Sequence, residues 1–462
     1  MEKFDAIIIG SGQAGNPLAS KLAAKGLKTA IIEKRALGGT CINDGCTPTK
    51  AMIACAKVAE AIRNSQRWGI SVDHSSMEID LPFIVHRKNE IVQNFRNSIL
   101  RGFDNKPEIK LFMGTAAFSG LKKVMINKLD GGNVEIEADK IFINTGATTI
   151  IPDIPGIDTV PFLTSTTILD QMEVPEELIV LGGSYIGLEL GQLYHRLGSN
   201  VTIVEPGIHL MSREDEDVAA TVKKFLETEG LDIHLSAHPD SISYDNGTIS
   251  LNIIAGNTRK TITGTHLLVA TGRKPQSAGL QLSKTNVTTD DHGFIQVNDF
   301  LETTCPGIYA LGDVKPGPAF THMSYNDHLI VYHNIFENKH ESIRTRPIPY
   351  CMFTDPQLGR IGLSEKEAVQ AGYPIKVAKL GMNKVARAIE TGLTTGFMKA
   401  IVHAATDKIL GAAVIGDQGG EIMSMLQLAM AGDITARQLS QMIFAHPLYA
   451  ESLNNLFLTL EK

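Results

Sequence analysis

A strand, glycine turn, helix and strand pattern occurs twice in this chain and restricts its fold more than any other feature. In the first copy a β-branched strand precedes the motif GSGQAG, and a helical stretch and a second strand ending at Glu33 follow it. Gly10 permits the tight turn, Gly12 lets a pyrophosphate approach the backbone, and Gly15 lets helix and strand pack closely. Glu33 stands where a carboxylate accepts a hydrogen bond from a ribose hydroxyl. The pattern predicts a Rossmann-like unit that binds a dinucleotide.

The second copy lies in the middle of the chain and carries the motif GGSYIG. Gly182 and Gly187 occupy the first and third glycine positions, and Ser184 replaces the second, where a small side chain still fits. The return strand ends at Glu205, whose carboxylate would accept from a ribose 2′-hydroxyl and repel a 2′-phosphate. We therefore predict NADH, with NADPH as the alternative because Arg213 follows. The competing interpretation of Glu205 is a solvated loop carboxylate.

Two cysteines follow the first unit in the stretch GGTCINDGCTPTK. Residues five apart do not share a face of a straight helix, so a disulfide between Cys41 and Cys46 needs a distorted first turn, which Gly45 and Pro48 make feasible. A helix start also lowers a cysteine pKa. We favour a redox pair over two unrelated core thiols or half of a metal site. No metal site is predicted, because the other cysteines are scattered and no Cys–His cluster lies nearby.

This stretch resembles the pattern GGTCxNxGCxPSK of the class I pyridine nucleotide-disulfide oxidoreductases. That family includes dihydrolipoamide dehydrogenase, glutathione reductase and mercuric reductase. The chain differs from the pattern at Asp44, Thr47 and Thr49, which are more polar or bulkier than the usual Val, Ile and Ser. Further motifs follow in the family's order, so the resemblance covers essentially the whole chain.

The resemblance implies an α/β fold with two Rossmann-like dinucleotide-binding domains, for FAD and NAD(P), and a C-terminal α+β dimerisation domain. The sequence pattern agrees, because residues 80–104 read as a helix, residues 110–147 alternate like a β-meander, and residues 397–402 and 409–415 read as a hairpin. The implied domains are an FAD-binding domain in two parts, 1–150 and 273–345, an NAD(P)-binding domain, 151–272, and a dimerisation domain, 346–462.

The segment GIYALGD resembles the family's second flavin motif, in which Asp313 would bind the ribityl chain of FAD. Standing alone, the segment would read as a strand that ends in a Gly-Asp turn. The resemblance implies FAD contacts at Gly10, Gly12, Gly15, Glu33, Gly39, Thr40, Lys50, Thr145, Gly146, Gly312 and Asp313. It implies NAD(P) contacts at Gly182, Tyr185, Gly187, Glu205 and Gly272.

The family's catalytic residues map onto four further positions. His446 and Glu451 resemble its general base and orienting carboxylate, although alone they would read as a surface loop. Imidazole titrates near neutrality, and a carboxylate on its second nitrogen fixes the tautomer. Lys50 and Glu189 resemble the lysine beside the flavin and its counter-charge. Tyr185 resembles the aromatic residue that covers the flavin until nicotinamide displaces it, with an ordinary helix-start tyrosine as the alternative.

The resemblance implies electron flow from NADH through FAD to the Cys41–Cys46 disulfide, and then to a small acceptor. Cys46 would face the flavin and Cys41 would meet the substrate. Mercuric ion, lipoamide or a reactive small oxidant are the candidate acceptors. One alternative is an NADH oxidase or diaphorase, which would not need Cys41. Another is a non-catalytic redox sensor that binds FAD and NAD, which would not need His446.

Composition supports a catalytic rather than a structural cysteine pair. Five cysteines in 462 residues do not make a secreted disulfide scaffold, and the net charge of −7 gives no reason to expect nucleic acid. No signal peptide and no apolar run long enough to span a membrane is apparent. We expect a cytoplasmic homodimer whose active site is shared, because in the family His446 and Glu451 reach the disulfide of the other subunit.

Overall fold

The computed structural model describes residues 1–73 and 76–461, and its first layer is a six-stranded sheet. The β-branched run at the N-terminus is almost entirely buried in this sheet, as a central parallel strand requires. The strands and helices of this part of the chain are β1 Glu2–Ile9, α1 Gly15–Ala24, β2 Thr29–Glu33, α2 Gly39–Asn43, α3 Cys46–Arg63, α4 Leu81–Asp104, β3 Ile109–Gly120, β4 Lys123–Lys128 and β5 Asn133–Ile143.

Strand β1 lies between β2 and β5, with all three parallel, while β3, β4 and β5 form an antiparallel meander. The predicted helix at 80–104 is α4, which begins where the Asp80 carboxylate accepts from the Phe83 N–H at 2.9 Å. The predicted meander at 110–147 is likewise present. A strand from much later in the chain, β16 (Ile308–Ala310), pairs in parallel with β5 and completes this sheet.

A second parallel sheet has the order β10-β9-β8-β14-β7 and contains the second glycine motif. A three-stranded antiparallel sheet, β11 to β13, packs on it, and β6 pairs with β15 where the chain leaves and re-enters the first sheet. The elements are β6 Ala147–Thr149, β7 Leu163–Thr164, β8 Glu177–Leu181, α5 Tyr185–Leu197, β9 Asn200–Val204, α6 Glu216–Glu229, β10 Asp232–His234, β11 Ala237–Asp245, β12 Thr248–Ala255, β13 Thr258–Gly264, β14 His266–Val269 and β15 Arg273–Pro275.

The C-terminal part is an antiparallel sheet of order β17-β18-β21-β20-β19 with helices against it. The predicted hairpin is β20 and β21. The remaining elements are α7 Thr321–Phe336, β17 Tyr350–Met352, β18 Gln357–Gly362, α8 Glu365–Gln370, β19 Ile375–Gly381, α9 Ala386–Glu390, β20 Phe397–His403, β21 Ile409–Gly416, α10 Gly419–Ala431, α11 Ala436–Ser440 and α12 Ser452–Leu458. The predicted fold class is confirmed, while the domain boundaries at 150, 272 and 345 stay predictions.

Packing between the two nucleotide units positions the site. Met52 and Ala56, on α3 behind the cysteines, share a hydrophobic cluster with Leu188 and Tyr194 of α5. Helix α3, which begins at Cys46, is thereby fixed against α5, the helix that follows the second glycine motif. In the described part of the chain, no helix combines the length and apolar character needed to cross a bilayer.

Candidate active site

The first glycine motif is held in a close-packed turn. Gly10 has φ +104°, and a Cβ there would lie 2.3 Å from the carbonyl oxygen of Asn144. A Cβ at Gly15 would lie 2.3 Å from the carbonyl oxygen of Gly10, so only glycine allows this approach of helix and strand. Glu33 is buried, and its two carboxylate oxygens accept from the N–H groups of Ser11 at 3.0 Å and Arg35 at 2.8 Å.

The second motif repeats this geometry. Gly182 has φ +109°, and a Cβ there would lie 2.5 Å from the carbonyl oxygen of Ala270, while a Cβ at Gly187 would lie 2.1 Å from that of Gly182. The Glu205 carboxylate accepts from the N–H groups of Gly183 and Gly207, each at 2.7 Å. Glu205 is therefore held by the backbone and is not a loosely solvated loop carboxylate.

The two cysteines lie on two different helices. Cys41 is in α2 and Cys46 is the first residue of α3, with Asp44 and Gly45 between them. The distortion expected of the first turn is thus a break between helices. Both thiols are free, Cys46 is the more exposed, and its sulfur lies 3.2 Å from the hydroxyl oxygen of Thr321.

The environment polarises the thiol pair. A hydrogen bond from Cys41 is the main cause that lowers the pKa of Cys46 to about 6, and Thr321 and the Lys50 cation act in the same direction. The pKa of Cys41 is raised far above its usual range, because it donates that bond and is buried. In the reduced pair near neutral pH, Cys46 is therefore the thiolate and Cys41 the thiol.

Lys50 and Glu189 form an ion pair across the unit boundary, with Nζ 2.6 Å from the carboxylate. The other oxygen of the buried Glu189 accepts from the N–H of Phe353 at 2.7 Å, and Lys50 lies 4.7 Å from the centroid of the Phe353 ring. This pair joins α3, α5 and Phe353, which directly follows β17. It places a cation within reach of the cysteine pair, whose charge it helps to set.

His446 and Glu451 are in contact, with Nδ1 2.8 Å from the nearer carboxylate oxygen. The His446 side chain is 66% exposed, so this pair is presented at the surface of the chain. Neither residue belongs to the wall of the cavity described next. The structure thus brings the two together but does not bring them to the cysteines of the same chain.

A cavity of about 1610 Å³ joins the two glycine motifs to the cysteines. Gly15, Gly187 and Gly312 lie behind its wall, where the first two serve helix–strand packing. The predicted site residues that line it are Gly10, Gly12, Glu33, Gly39, Thr40, Cys41, Cys46, Lys50, Thr145, Gly146, Gly182, Tyr185, Glu189, Glu205, Gly272 and Asp313.

Sequence reasoning missed several residues of this cavity. Asn144 donates to the Gly10 carbonyl at 3.1 Å and packs under the first motif. Asp44, noted only as a departure from the family pattern, accepts from Arg35 at 2.8 Å and from the Thr166 hydroxyl at 3.1 Å. Thr321, which contacts Cys46, had no signal in its local sequence, whereas Asn144 directly precedes the noted pair Thr145-Gly146.

The cavity fits a bound dinucleotide in both chemistry and shape. The Thr145 hydroxyl and the Arg273 Nε atom are buried there with no hydrogen-bond partner among the described residues. A Cβ at Gly39, which has φ +64°, would lie 2.7 Å from the Gly12 Cα, so these two backbones form a narrow cradle. Burial raises the pKa of Asp313. Over the same described residues, no group of three or more His, Cys, Asp or Glu side chains is arranged to hold a metal ion.

Fold and site together show two nucleotide-type units that share one cavity with a pair of thiols. The family described as "Pyridine nucleotide-disulphide oxidoreductase" matches residues 4–327, and its dimerisation domain matches residues 348–457. The chain belongs to this family. It is an FAD-dependent NAD(P)H disulfide oxidoreductase, and its cofactors are FAD and a pyridine nucleotide.

The comparisons with individual proteins agree. The chain is 35% identical over 461 residues to the probable pyridine nucleotide-disulfide oxidoreductase RclA of Escherichia coli, covering 99% of each chain. It is 32% identical over 459 residues to a mercuric reductase of Bacillus cereus, covering 99% of this chain and 72% of the other. A solved structure, the Cu(II) complex of the HOCl-induced flavoprotein disulfide reductase RclA from Escherichia coli, superposes with a TM-score of 0.90 at 34% identity and covers 100% of both chains.

Proposed function

We propose that the protein uses NADH to keep the Cys41–Cys46 pair reduced and that this pair reduces a thiophilic metal ion such as Cu(II) or Hg(II). The observation that carries the proposal is the polarised thiol pair open to the cavity, with a Cys46 thiolate beside a Cys41 thiol. Thiolates are the protein ligands that soft metal ions prefer. The likeness to a mercuric reductase and to a reductase solved with Cu(II) supports this class of acceptor.

Each group of the chain has a definite task in this proposal. Bound FAD would pass the two electrons of NADH to the disulfide. Glu33 and Asp313 would hold and orient that cofactor, and the Lys50–Glu189 pair would supply a positive charge to its reduced form. The Cys46 thiolate and the Cys41 thiol then lose two electrons and one proton as the disulfide re-forms. Those electrons convert two Cu(II) to two Cu(I), or one Hg(II) to Hg(0).

NADH is the proposed reductant because of the way Glu205 is held. With both oxygens fixed by backbone N–H groups, the carboxylate stays at the end of β9, where it favours a ribose hydroxyl and repels a phosphate. Pro206 and Gly207 follow it and supply no cation. Arg213 lines the same cavity, and its cation would favour the 2′-phosphate of NADPH if NADPH were the reductant.

A low-molecular-weight disulfide is the second candidate acceptor, and the His446–Glu451 contact favours it. Thiol–disulfide exchange needs a group that takes the proton from the attacking thiol and returns one to the leaving thiol. The exchange consumes the dithiol and one substrate disulfide, and it yields two substrate thiols and the enzyme disulfide. Because His446 is exposed and outside the cavity, it would serve the cysteines of a second subunit in a homodimer.

An acceptor comparison on the FAD-loaded enzyme tests the proposal. We expect Cys41→Ser to abolish turnover of Cu(II), Hg(II) and lipoamide while reduction of bound FAD by NADH persists. His446→Ala should cost roughly 10²-fold with lipoamide, the scale of general acid–base catalysis, and much less with a metal ion, which has no thiol leaving group. Cys55→Ser is the matched control, because Cys55 lies on α3 but not on the cavity wall.

Three results would contradict the proposal in whole or in part. Undiminished metal-ion turnover by Cys41→Ser would remove the cysteine pair from the electron path and favour an oxidase or diaphorase. Efficient lipoamide turnover in the absence of any metal-ion turnover would instead select the second candidate. Faster reduction of bound FAD by NADPH than by NADH would overturn the nucleotide assignment alone.

A further inference from the structure

A buried carboxylate behind the cavity wall accepts hydrogen bonds from two tyrosine hydroxyls. The Tyr185 hydroxyl donates to an oxygen of Glu214 at 3.0 Å, and the Tyr350 hydroxyl donates to the same oxygen. The other Glu214 oxygen lies 3.3 Å from the Nε atom of Arg360, and the Glu214 side chain has no exposed surface. Glu214, Tyr350 and Arg360 have no part in the electron path described above.

The two tyrosines of the cluster belong to an aromatic wall of the cavity. Tyr185, Phe320 and Tyr350 all line the cavity, and Tyr350 stacks on Phe320 with ring centroids 5.2 Å apart. The Tyr185 ring packs on both, at 5.4 Å from Tyr350 and 6.4 Å from Phe320. Glu214 itself is not on the wall, and its carboxylate contacts wall residues through the hydrogen bonds from the two tyrosines.

The charges of the cluster suit a Glu214 carboxylate that stays in place and accepts hydrogen bonds from the two tyrosine hydroxyls. Burial, and then the Glu214 charge, raises the pKa of both phenols, so each hydroxyl keeps its proton and donates. Arg360 is buried and also donates to the carbonyl oxygens of Ile361 and Ala412 on the C-terminal sheet. The Arg360 position is therefore set by the sheet, and its charge compensates Glu214 whether or not Tyr185 is in place.

We propose that Glu214 is a latch that holds Tyr185 across the nicotinamide subsite, and that Tyr350 keeps the carboxylate satisfied when Tyr185 swings away. This inference rests on the proposed use of NADH, because the family resemblance places Tyr185 where nicotinamide must enter. Glu214 and Tyr350 are positioning residues, since neither reaches the reacting atoms. The latch sets the fraction of enzyme that is open to the nicotinamide ring, and apparent affinity scales with that fraction.

The two tyrosines have opposite effects in this arrangement. Tyr185→Phe removes the bond that must break on opening, so the open form becomes more populated. Tyr350→Phe leaves Tyr185 as the one hydroxyl on that Glu214 oxygen. Opening would then strand a buried acceptor, so the open form becomes less populated. Both substitutions keep the aromatic ring and its packing, whereas replacing Glu214 would leave Arg360 buried without its nearest counter-charge.

The test compares NAD⁺ with ADP-ribose, which lacks only the nicotinamide ring, by calorimetric titration of the FAD-loaded enzyme. We expect Tyr185→Phe to tighten NAD⁺ about tenfold, the scale of one hydrogen bond to a charged acceptor, and Tyr350→Phe to weaken it about fivefold. The ADP-ribose affinity should change in neither variant. Tyr194→Phe is the control, because Tyr194 lies on the same helix and its hydroxyl donates to Ile168 instead of Glu214.

The outcomes separate the latch from the proposed function. An unchanged ratio of NAD⁺ to ADP-ribose affinity in Tyr185→Phe overturns the latch, as does a change of the same sign in both tyrosine variants. Parallel losses of both ligands would show that the residues serve only the structure of the unit, which also overturns it. A wild-type enzyme that binds NADP⁺ but not NAD⁺ would instead count against NADH as the reductant, and the ratio could then be measured with NADP⁺ and its nicotinamide-free analogue.

Discussion

The two glycine motifs are built on the same plan but are closed to different degrees. In both, the first glycine packs against the carbonyl that follows the neighbouring strand, at Asn144 in the first unit and Ala270 in the second. In both, the acid at the end of the return strand accepts two backbone N–H groups, one of them from the residue after the first glycine. The turn and the acid are therefore a repeated solution to one problem.

The differences lie in what surrounds the turn. In the first unit the Asn144 side chain fills the space under the motif, a Cβ at Gly12 would lie 2.9 Å from its Nδ2 atom, and Glu33 is buried. In the second unit Ala270 has no such side chain, Ser184 is exposed, and Glu205 is only half-buried. The first unit suits a cofactor that stays bound, whereas the more open second unit suits one that exchanges.

Adding a methyl group to each first glycine should give the largest contrast. Gly10→Ala and Gly182→Ala place a Cβ 2.3 Å and 2.5 Å from a carbonyl oxygen, so both turns must distort. We expect purified Gly10→Ala to lack FAD and to lose all turnover. Gly182→Ala should keep stoichiometric FAD and lose roughly 10²-fold or more in kcat/KM for NADH. Visible absorption measures the FAD content of each variant, and steady-state kinetics measure its turnover and its kcat/KM for NADH.

Gly26→Ala is the control for this pair, because nothing lies within 4 Å of a Cβ at Gly26, although its φ of +75° predicts a small loss of stability. Loss of FAD from Gly182→Ala as readily as from Gly10→Ala would show that the two units do not divide the cofactors as the comparison implies.

Replacing the acid of the second unit should change the nucleotide preference. Glu205→Ala removes the acceptor for a ribose hydroxyl and the repulsion of a 2′-phosphate, so we expect KM for NADH to rise about tenfold while KM for NADPH falls. FAD content should be unchanged, which the visible spectrum reports. An equal rise in KM for both nucleotides would mean that Glu205 only supports the turn.

The cysteine pair between the units should report its protonation in the spectrum of the two-electron-reduced enzyme. A long-wavelength charge-transfer absorption requires the Cys46 thiolate. Because the pKa of Cys46 is lowered to about 6, the band should be full above that pH and disappear as the pH falls through it. Lys50→Met removes a cation that lowers this pKa, so the loss should move to higher pH. A band independent of pH between about 5 and 8 would contradict the assignment, since a thiolate of that pKa titrates within this range.

The smallest effect is expected at the serine of the second motif. Ser184 is exposed and makes no side-chain cap bond, so Ser184→Gly should change KM for NADH by less than about threefold. Thermal unfolding of this variant should be close to that of the wild type. A tenfold change in KM would show that the Ser184 hydroxyl contacts the nucleotide, and the second unit would then be less open than its side chains indicate.

The sequence alone determined the parts of the protein that short stretches encode. Strand, turn, helix and acid follow one another within about thirty residues in each unit, and Cys41 and Cys46 lie in a single segment. Their spacing and residue types predicted the two nucleotide units and a redox pair, and the resemblance that they carry implied the fold class. His446 and Glu451 also lie only five residues apart, but their pairing was implied by the family resemblance, because alone they would read as a surface loop.

Tertiary structure decided what lies beneath and between those segments. Glu214 meets Tyr350 across 136 residues, Cys46 meets Thr321 across 275, and Asn144 reaches Gly10 across 134. No local periodicity or motif spacing encodes such contacts, because they arise only when separate elements pack. Burial and neighbouring groups then set the protonation of the Cys41–Cys46 pair. The hydrogen bond to Glu214 holds the Tyr185 hydroxyl. Both features depend on the assembled cavity rather than on the residues themselves.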